Sequence, residues 1–422
     1  MSRIPGPRTA ALASRLRARE SRNVTFLGDD FPVFWESAAG AVVTDVDGNR
    51  YVDCTAAFGV ANVGHCNPRV VDAVARQARL LLHGMGDVHP TELRVRLLDR
   101  LAEILPPQLA RAFLASTGSE AIEAALKTAM LVTGKHCFAA YRGGYHGLSL
   151  GALAVTGIER FRAPFAAALA AEPLLLEYPH AGTALHDAEH AARLALANRD
   201  DIAALVVEPV LGRGGAVVPP DGYLRALRDI CDERGMLLIV DEIFTGFGRT
   251  GSWFAIERDG IVPDVICIGK AMGSGVPISA AIGTSAVMDA WPPSTGEALH
   301  TSTYLGNPLG CAAALATIDE IERLELPARA ERLGAQLLER LAPLLAVEGV
   351  REIRGRGLLA GVRLESAGRA AAVVRAALRA GVIFLQAGIE GDVIGIAPPL
   401  TIESAQLASA AGVLEAAVRQ TA

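Results

Sequence analysis

Lysine is nearly absent from this chain. Of its 40 basic residues only Lys127, Lys135 and Lys270 are lysine, and the rest are arginine. Arginine stays protonated, whereas lysine can release its proton and attack a carbonyl carbon. Lys270 stands in D-V-I-C-I-G-K-A-M-G-S-G-V-P-I-S-A (264–280), after an apolar run and ahead of a glycine-rich loop. The low charge around it predicts a depressed pKa, because desolvation penalises the ammonium. That setting suits a Schiff-base lysine. A lysine snorkelling out at a strand end carries the same residues; the scarcity of lysine favours the chemical reading. Lys127 and Lys135 fall in or just after an amphipathic helix, where a solvated role is expected.

Three further stretches could do chemistry. In L-I-V-D-E-I (238–243) an apolar run ends in Asp241-Glu242, and the carboxyl ends of strands are where α/β sheets place ligands. An aspartate there could hold a proton on a pyridine nitrogen; a carboxylate pairing locally gives the same pattern. In F-L-A-S-T-G-S-E-A-I-E-A-A-L-K (113–127), Thr117 and Glu120 have capping-box spacing at a helix start. Free N–H groups and hydroxyls there can bind an anion, although an ordinary capped helix reads identically. In Y-R-G-G-Y-H-G (141–147), Tyr145 and His146 between glycines could face a planar ring, or simply decorate a turn.

Two other patterns point elsewhere. G-F-G-R-T-G (246–251) fits G-x-G-x-x-G, the mark of a nicotinamide-dependent dehydrogenase. Such a loop must open a helix at once and be followed by an acidic residue ending the next strand; Asp264 precedes the next apolar run instead. His186 and His190 lie four apart on an expected exposed helix with no third ligand near, so no metal site is expected.

The elements that must position these residues alternate between strand and helix, which predicts an α/β fold with a mostly parallel sheet. Strands are expected at 202–207, 236–240, 265–268, 358–364 and 392–396. Helices are expected at Tyr223 to Arg234 (stopped by Gly235), 311–324, 328–345 and 403–419. The shift to a helical pattern after Asn307-Pro308 places the start of a smaller C-terminal domain near 310. A length of 422 residues with 51% hydrophobic and 20% charged residues allows two or three domains with large cores. A formal charge of −6 without a basic stripe argues against nucleic acid, and no apolar run reaches the roughly 18 residues of a membrane span. The six scattered cysteines form no C-x-x-C and sit in apolar surroundings, which predicts buried thiols in a reducing cytoplasm.

Taken together, the segments resemble the class III aminotransferases, pyridoxal-phosphate (PLP) enzymes of fold type I, and especially the 4-aminobutyrate and ω-aminotransferase subgroup. D-V-D-G-N-R-Y-V-D (45–53), G-H-C-N-P (64–68), S-T-G-S-E-A, G-Y-H-G, V-V-E-P-V, V-D-E-I-F-T-G-F-G-R-T-G, I-G-K-A-M-G-S-G, H-T-S-T-Y-L-G-N-P-L and R-G-R-G-L-L-A-G-V (354–362) follow the family's order over nearly the whole chain. The resemblance implies an N-terminal segment (1–60) packing with the small domain, a large PLP-binding domain (61–309) and a small α+β domain (310–422). It implies that Lys270 binds the cofactor as a Schiff base and moves the proton, and that Asp241 pairs with the pyridine nitrogen. It also implies that Tyr145 stacks on the ring beside His146, that Glu208 lies near the cofactor, and that Gly118 and Ser119 hold the phosphate. Ser302 and Thr303 would reach the phosphate of a neighbouring subunit, which implies a homodimer with shared sites. The implied reaction is ping-pong transfer of an amino group from an amine or amino acid to a keto acid or aldehyde. A racemase or epimerase on the same scaffold is the alternative, and a dehydrogenase a more distant one.

The chain departs from the family where ω-amino-acid relatives clamp carboxylates. Leu211 stands for their glutamine and Arg213 for their glutamate. Leu148 replaces the arginine of Y-H-G-R, Phe244 the glutamine of D-E-x-Q, and Gly395 an arginine before the C-terminal proline pair. Arg213 is therefore expected to supply the substrate-carboxylate contact from the opposite wall; the competing reading is a solvent-facing arginine and a plain amine substrate.

Overall fold

The computed structural model describes residues 4–28, 30–169 and 172–421. Its centre is a seven-stranded sheet in the order 109–115, 279–284, 265–268, 237–241, 202–207, 137–141, 174–176. All neighbours are parallel except Ser279–Thr284, which runs antiparallel to both of its partners. Strands Ile202–Val207 and Leu237–Asp241 are buried along their whole length. That is why they read as unbroken apolar runs: helices cover both faces of a parallel sheet.

The helix Gly118–Thr133 shows how the sequence builds its own start. Thr117 Oγ1 accepts from the Glu120 N–H, and the Glu120 carboxylate reaches back to the Ser116 and Thr117 N–H groups. The helix Tyr223–Arg234 has the expected limits, and Gly235 ends it at a φ of 59°. The expected helix over 328–345 is instead α-helical over Leu326–Leu341 and 3-10 over Ala342–Ala346. Pro343 lacks the N–H that an α-helical turn needs there.

Two smaller sheets flank the large one. Strands Trp35–Ala39, Val42–Asp45 and Arg50–Asp53 form an antiparallel meander, and Arg50–Asp53 also pairs in parallel with Val382–Ile383. The second sheet orders 350–356, 359–364, 393–396 and 385–387. The helix Pro308–Arg323 packs against the helices Pro68–Leu80 and Glu92–Ile104 beside the large sheet. No helix among the described residues is long and apolar enough to cross a membrane. All six cysteines are free; Cys66 is exposed and Cys137 partly so, contrary to the expectation of uniformly buried thiols. Cys66 sits in the turn G-H-C-N-P with a φ of 48°.

Candidate active site

Three chain segments leave the carboxyl edge of the large sheet side by side. After Cys137–Tyr141 the chain turns through Tyr145-His146-Gly147, after Ile202–Val207 it continues through Glu208 to Arg213, and Leu237–Asp241 ends at the carboxylate itself. Asp241 Oδ1 accepts from the Ile243 N–H at 3.0 Å, and its Oδ2 lies 2.8 Å from His146 Nδ1. Both residues are buried. Burial alone pulls the His146 pKa down, but the hydrogen bond and charge of Asp241, then the charge of Glu208, carry it above its usual value. His146 Nε2 is buried with no partner.

Glu208 ties two of these segments together. Its carboxylate accepts from the Tyr145 N–H at 2.8 Å and the Gly212 N–H at 3.0 Å. Burial raises its pKa to about 7, helped by Asp241 and opposed by His146 and the two backbone donors. Lys270 follows the strand Val265–Ile268 with a φ of 44°, a left-handed backbone rarely taken by a residue with a side chain. Burial lowers its pKa below the ordinary lysine value; Asp241 and Glu208 oppose the shift and Arg213 adds to it.

These groups line two adjoining cavities. The smaller, about 170 Å³, lies between the start of the helix Gly118–Thr133 and the strand ends, and reaches Gly118, Ser119, Tyr145, His146, Asp241 and Lys270. The first-turn N–H groups of Gly118 and Ser119 have no intrahelical carbonyl to meet. Gly147 passes so close to Ser119 that a Cβ on it would stand 2.1 Å from Ser119 Oγ. The larger cavity, about 510 Å³, opens above Lys270 and Phe244 and is walled by Phe58, Leu148, Phe161, Arg213 and Gly395. Arg213 is half-buried; its Nε has no hydrogen-bond partner, and its guanidinium lies 5.8 Å from the Phe161 ring. Burial lowers its pKa, and the nearby Arg160 adds to the effect.

The description of the family "Aminotransferase class-III" matches residues 27–418. The chain belongs to the class III aminotransferases. An acetylornithine aminotransferase of Methanopyrus kandleri is 40% identical over 389 residues, covering 92% of this aminotransferase and 95% of the relative. A putrescine aminotransferase of Pectobacterium atrosepticum is 39% identical, covering 92% and 82%. An amine transaminase from an uncultivated Pseudomonas species, solved with PLP bound, superposes with a TM-score of 0.88 at 32% identity, covering 96% and 99%. The aminotransferase thus has the PLP-dependent fold type I architecture, uses PLP, and transfers amino groups in ping-pong fashion between an amine or amino acid and a keto acid or aldehyde.

Gly118, Ser119, Tyr145, His146, Glu208, Asp241 and Lys270 meet around the smaller cavity. Arg213 and Gly395 face the larger one together. Ser302 and Thr303 line neither; they sit in a loop ahead of the helix Pro308–Arg323, with Thr303 exposed. The G-x-G-x-x-G stretch is no dinucleotide loop. Its arginine, Arg249, is wholly buried and donates to the carbonyls of Leu358 and Pro398 and to Asn62 Oδ1. Burial pushes its pKa down to about 9, with Asp53 opposing. His186 is exposed beside Asp187, and no cluster suited to a metal exists among the described residues. Phe161 and Phe58 were not foreseen as walls of the site. Phe58 belongs to four successive residues, Ala56 to Gly59, with positive φ, a left-handed turn for which A-A-F-G gives no local signal.

Proposed function

We propose that the smaller cavity is the PLP site and the larger one the substrate site, and that the substrate presents one carboxylate to Arg213 and an apolar body to the walls. The donor set of the smaller cavity fits PLP: unpaired N–H groups and a hydroxyl at a helix start for the phosphate, and the buried carboxylate of Asp241 bonded to His146, whose Nε2 is unpartnered. Gly118 and Ser119 would hold the phosphate, Tyr145 would stack on the ring, and Asp241, oriented by His146, would keep the pyridine nitrogen protonated. When bound, PLP supplies an aldehyde that takes up the amino group and a ring that draws in the electron pair left on the substrate carbon. Lys270 Nζ would hold the cofactor, and as a free amine it would take the proton from the substrate carbon. Glu208 fixes the Tyr145 and Gly212 backbones that wall the site.

The observation that carries the substrate assignment is Arg213, which faces the same cavity as Lys270 and has no ionic partner among the described residues. Leu148, Phe58, Phe161 and Phe244 make much of the remaining wall. A charged hydrogen bond in such a site contributes about 1.5–3 kcal/mol. Arg213→Ala should therefore lower kcat/KM for monocarboxylic amino acids roughly 10- to 150-fold while leaving amines without a carboxylate nearly unchanged. An equal effect on both classes, or on neither, overturns this assignment.

The chain is further proposed to divide into a large domain over 61–309 and a small one over 310–422, with residues 1–60 joined to the small one, and to act in the cytoplasm as a homodimer. The pairing of Arg50–Asp53 with Val382–Ile383 supports the first point. For the dimer, support comes from the loop carrying Ser302 and Thr303. It lies against the 81–89 segment through Thr301–Asp87, Asn307–Leu82 and a His83–Tyr304 ring contact. The two segments expose Leu82, Met85, Val88, Leu299 and Tyr304, an apolar face of the kind that a second copy covers.

A further inference from the structure

Lys270 has one close partner for its amine, and that partner is an aromatic ring. Nζ stands 4.5 Å from the centroid of Phe244, and among the described residues the amine has no hydrogen bond or ion pair. The ring is itself gripped. A Cβ on Gly59 would fall 2.1 Å from Phe244 Cε2, and a Cβ on Gly212 would fall 2.2 Å from Phe244 Cδ1. Two glycines from distant parts of the chain thus make the slot in which this one ring sits. Phe244 and Lys270 both line the smaller and the larger cavity, so the pair forms the boundary between them.

We propose that Phe244 is a positioning residue for Lys270: its ring face holds the amine at the boundary between the cofactor and substrate cavities and stabilises it when it carries a proton. A ring face attracts a cation by up to about 2 kcal/mol where water is excluded. The protonated amine is the form that exists after Lys270 has taken the substrate proton, so the ring favours that state without the permanent ion pair that a carboxylate would impose. Asp241 and Glu208 at the neighbouring strand ends also favour the charged amine, and Arg213 opposes it. His146 and Tyr145 share the space. This inference rests on Lys270 being the cofactor lysine.

The test uses the full-length protein stripped of PLP, with the rate of PLP capture measured against pH; capture requires the neutral amine. Phe244→Leu keeps the site apolar but removes the ring face. Its capture profile should shift to lower pH, so that capture below the midpoint is about 5- to 30-fold faster than in the parent protein. Phe244→Tyr should restore the parent profile. Gly212→Ala, which displaces the ring without altering it, should shift the profile in the same direction as Phe244→Leu and serves if the leucine variant misfolds. Identical profiles for the parent, Phe244→Leu and Gly212→Ala overturn the inference. Borohydride reduction followed by peptide mapping separates this from the broader reading: PLP fixed at a residue other than Lys270 overturns the site assignment itself.

Discussion

Replacing Lys270 by alanine removes the amine proposed to bind and release the cofactor, while the strand beneath it stays apolar and packed. Lys270→Ala should lose transamination by several orders of magnitude, and borohydride should fix no PLP to the protein; full activity of this variant would refute the assignment. A second prediction concerns Glu242, which lies beside Asp241 but turns away from the cavities. It accepts hydrogen bonds from Thr245 Oγ1 and the Ile256 N–H, and burial raises its pKa to about 7. Between the unfolded carboxyl pKa and about 7 the folded state binds the extra proton, so stability falls as pH rises through that window. The loss from this group is on the order of 3 kcal/mol, and Glu242→Gln should flatten the decline in denaturation curves taken across that range. The two acidic neighbours were indistinguishable in L-I-V-D-E-I; only the strand's alternation, with Asp241 toward the cavities and Glu242 into the core, separates them. Lys270 stands out in the sequence because its residue type is rare here. Phe244 was visible only as a departure from a pattern, because its role depends on Gly59 and Gly212, which the chain brings to it from far away.

At the scale of elements, the proposed phosphate end of the smaller cavity is a meeting of one helix start with one tight turn. Gly147 has a φ of 129°, which side-chain-bearing residues rarely adopt, and a Cβ added to it would stand 2.1 Å from Ser119 Oγ. Gly147→Ala should push Ser119 off its position at the helix start and strain the turn. Loss of one charged hydrogen bond of about 1.5–3 kcal/mol weakens PLP retention roughly 10- to 150-fold, as read by equilibrium dialysis. An unchanged affinity would mean that Ser119 does not hold the phosphate. The helices themselves were readable because caps and apolar spacing are local. Thr117 and Glu120 make both bonds of the expected capping box, and Gly235 stops its helix as read. The short strands Val382–Ile383 and Leu385–Ala387 were not readable. Two or three residues carry no periodicity, and their pairing partners lie at Val52–Asp53 and at Val393–Gly395.

At the scale of the whole molecule, one contact within the chain and one proposed between copies bear on the site. Arg249 joins the loop after the central strand to Asn62, Leu358 and Pro398. Arg249→Ala leaves three buried acceptors without a donor, and denaturant unfolding should show a loss of about 3–5 kcal/mol. A match to G-x-G-x-x-G concealed this role, since the arginine's partners lie in parts of the chain that sequence order keeps apart. The other contact is the one proposed between copies. Ser302 and Thr303 stand outside both cavities of their own chain, on the apolar face formed with residues 81–89. If they complete the phosphate site of a second copy, each site draws its lysine from one chain and its hydroxyls from the other. A Lys270→Ala chain keeps its hydroxyls, and a Ser302→Ala/Thr303→Ala chain keeps its lysine. Each alone should form an inactive dimer. In a mixed dimer one site receives both defects and the other receives neither. Random exchange at equal concentrations makes half of the dimers mixed, so activity should recover to about a quarter of the parent value. Recovery should require conditions in which subunits exchange and should follow the mixed species on native mass spectrometry. Two inactive variants that stay inactive after demonstrated exchange would place the hydroxyls outside the neighbouring site, and an active monomer in sedimentation would remove the need for a partner altogether.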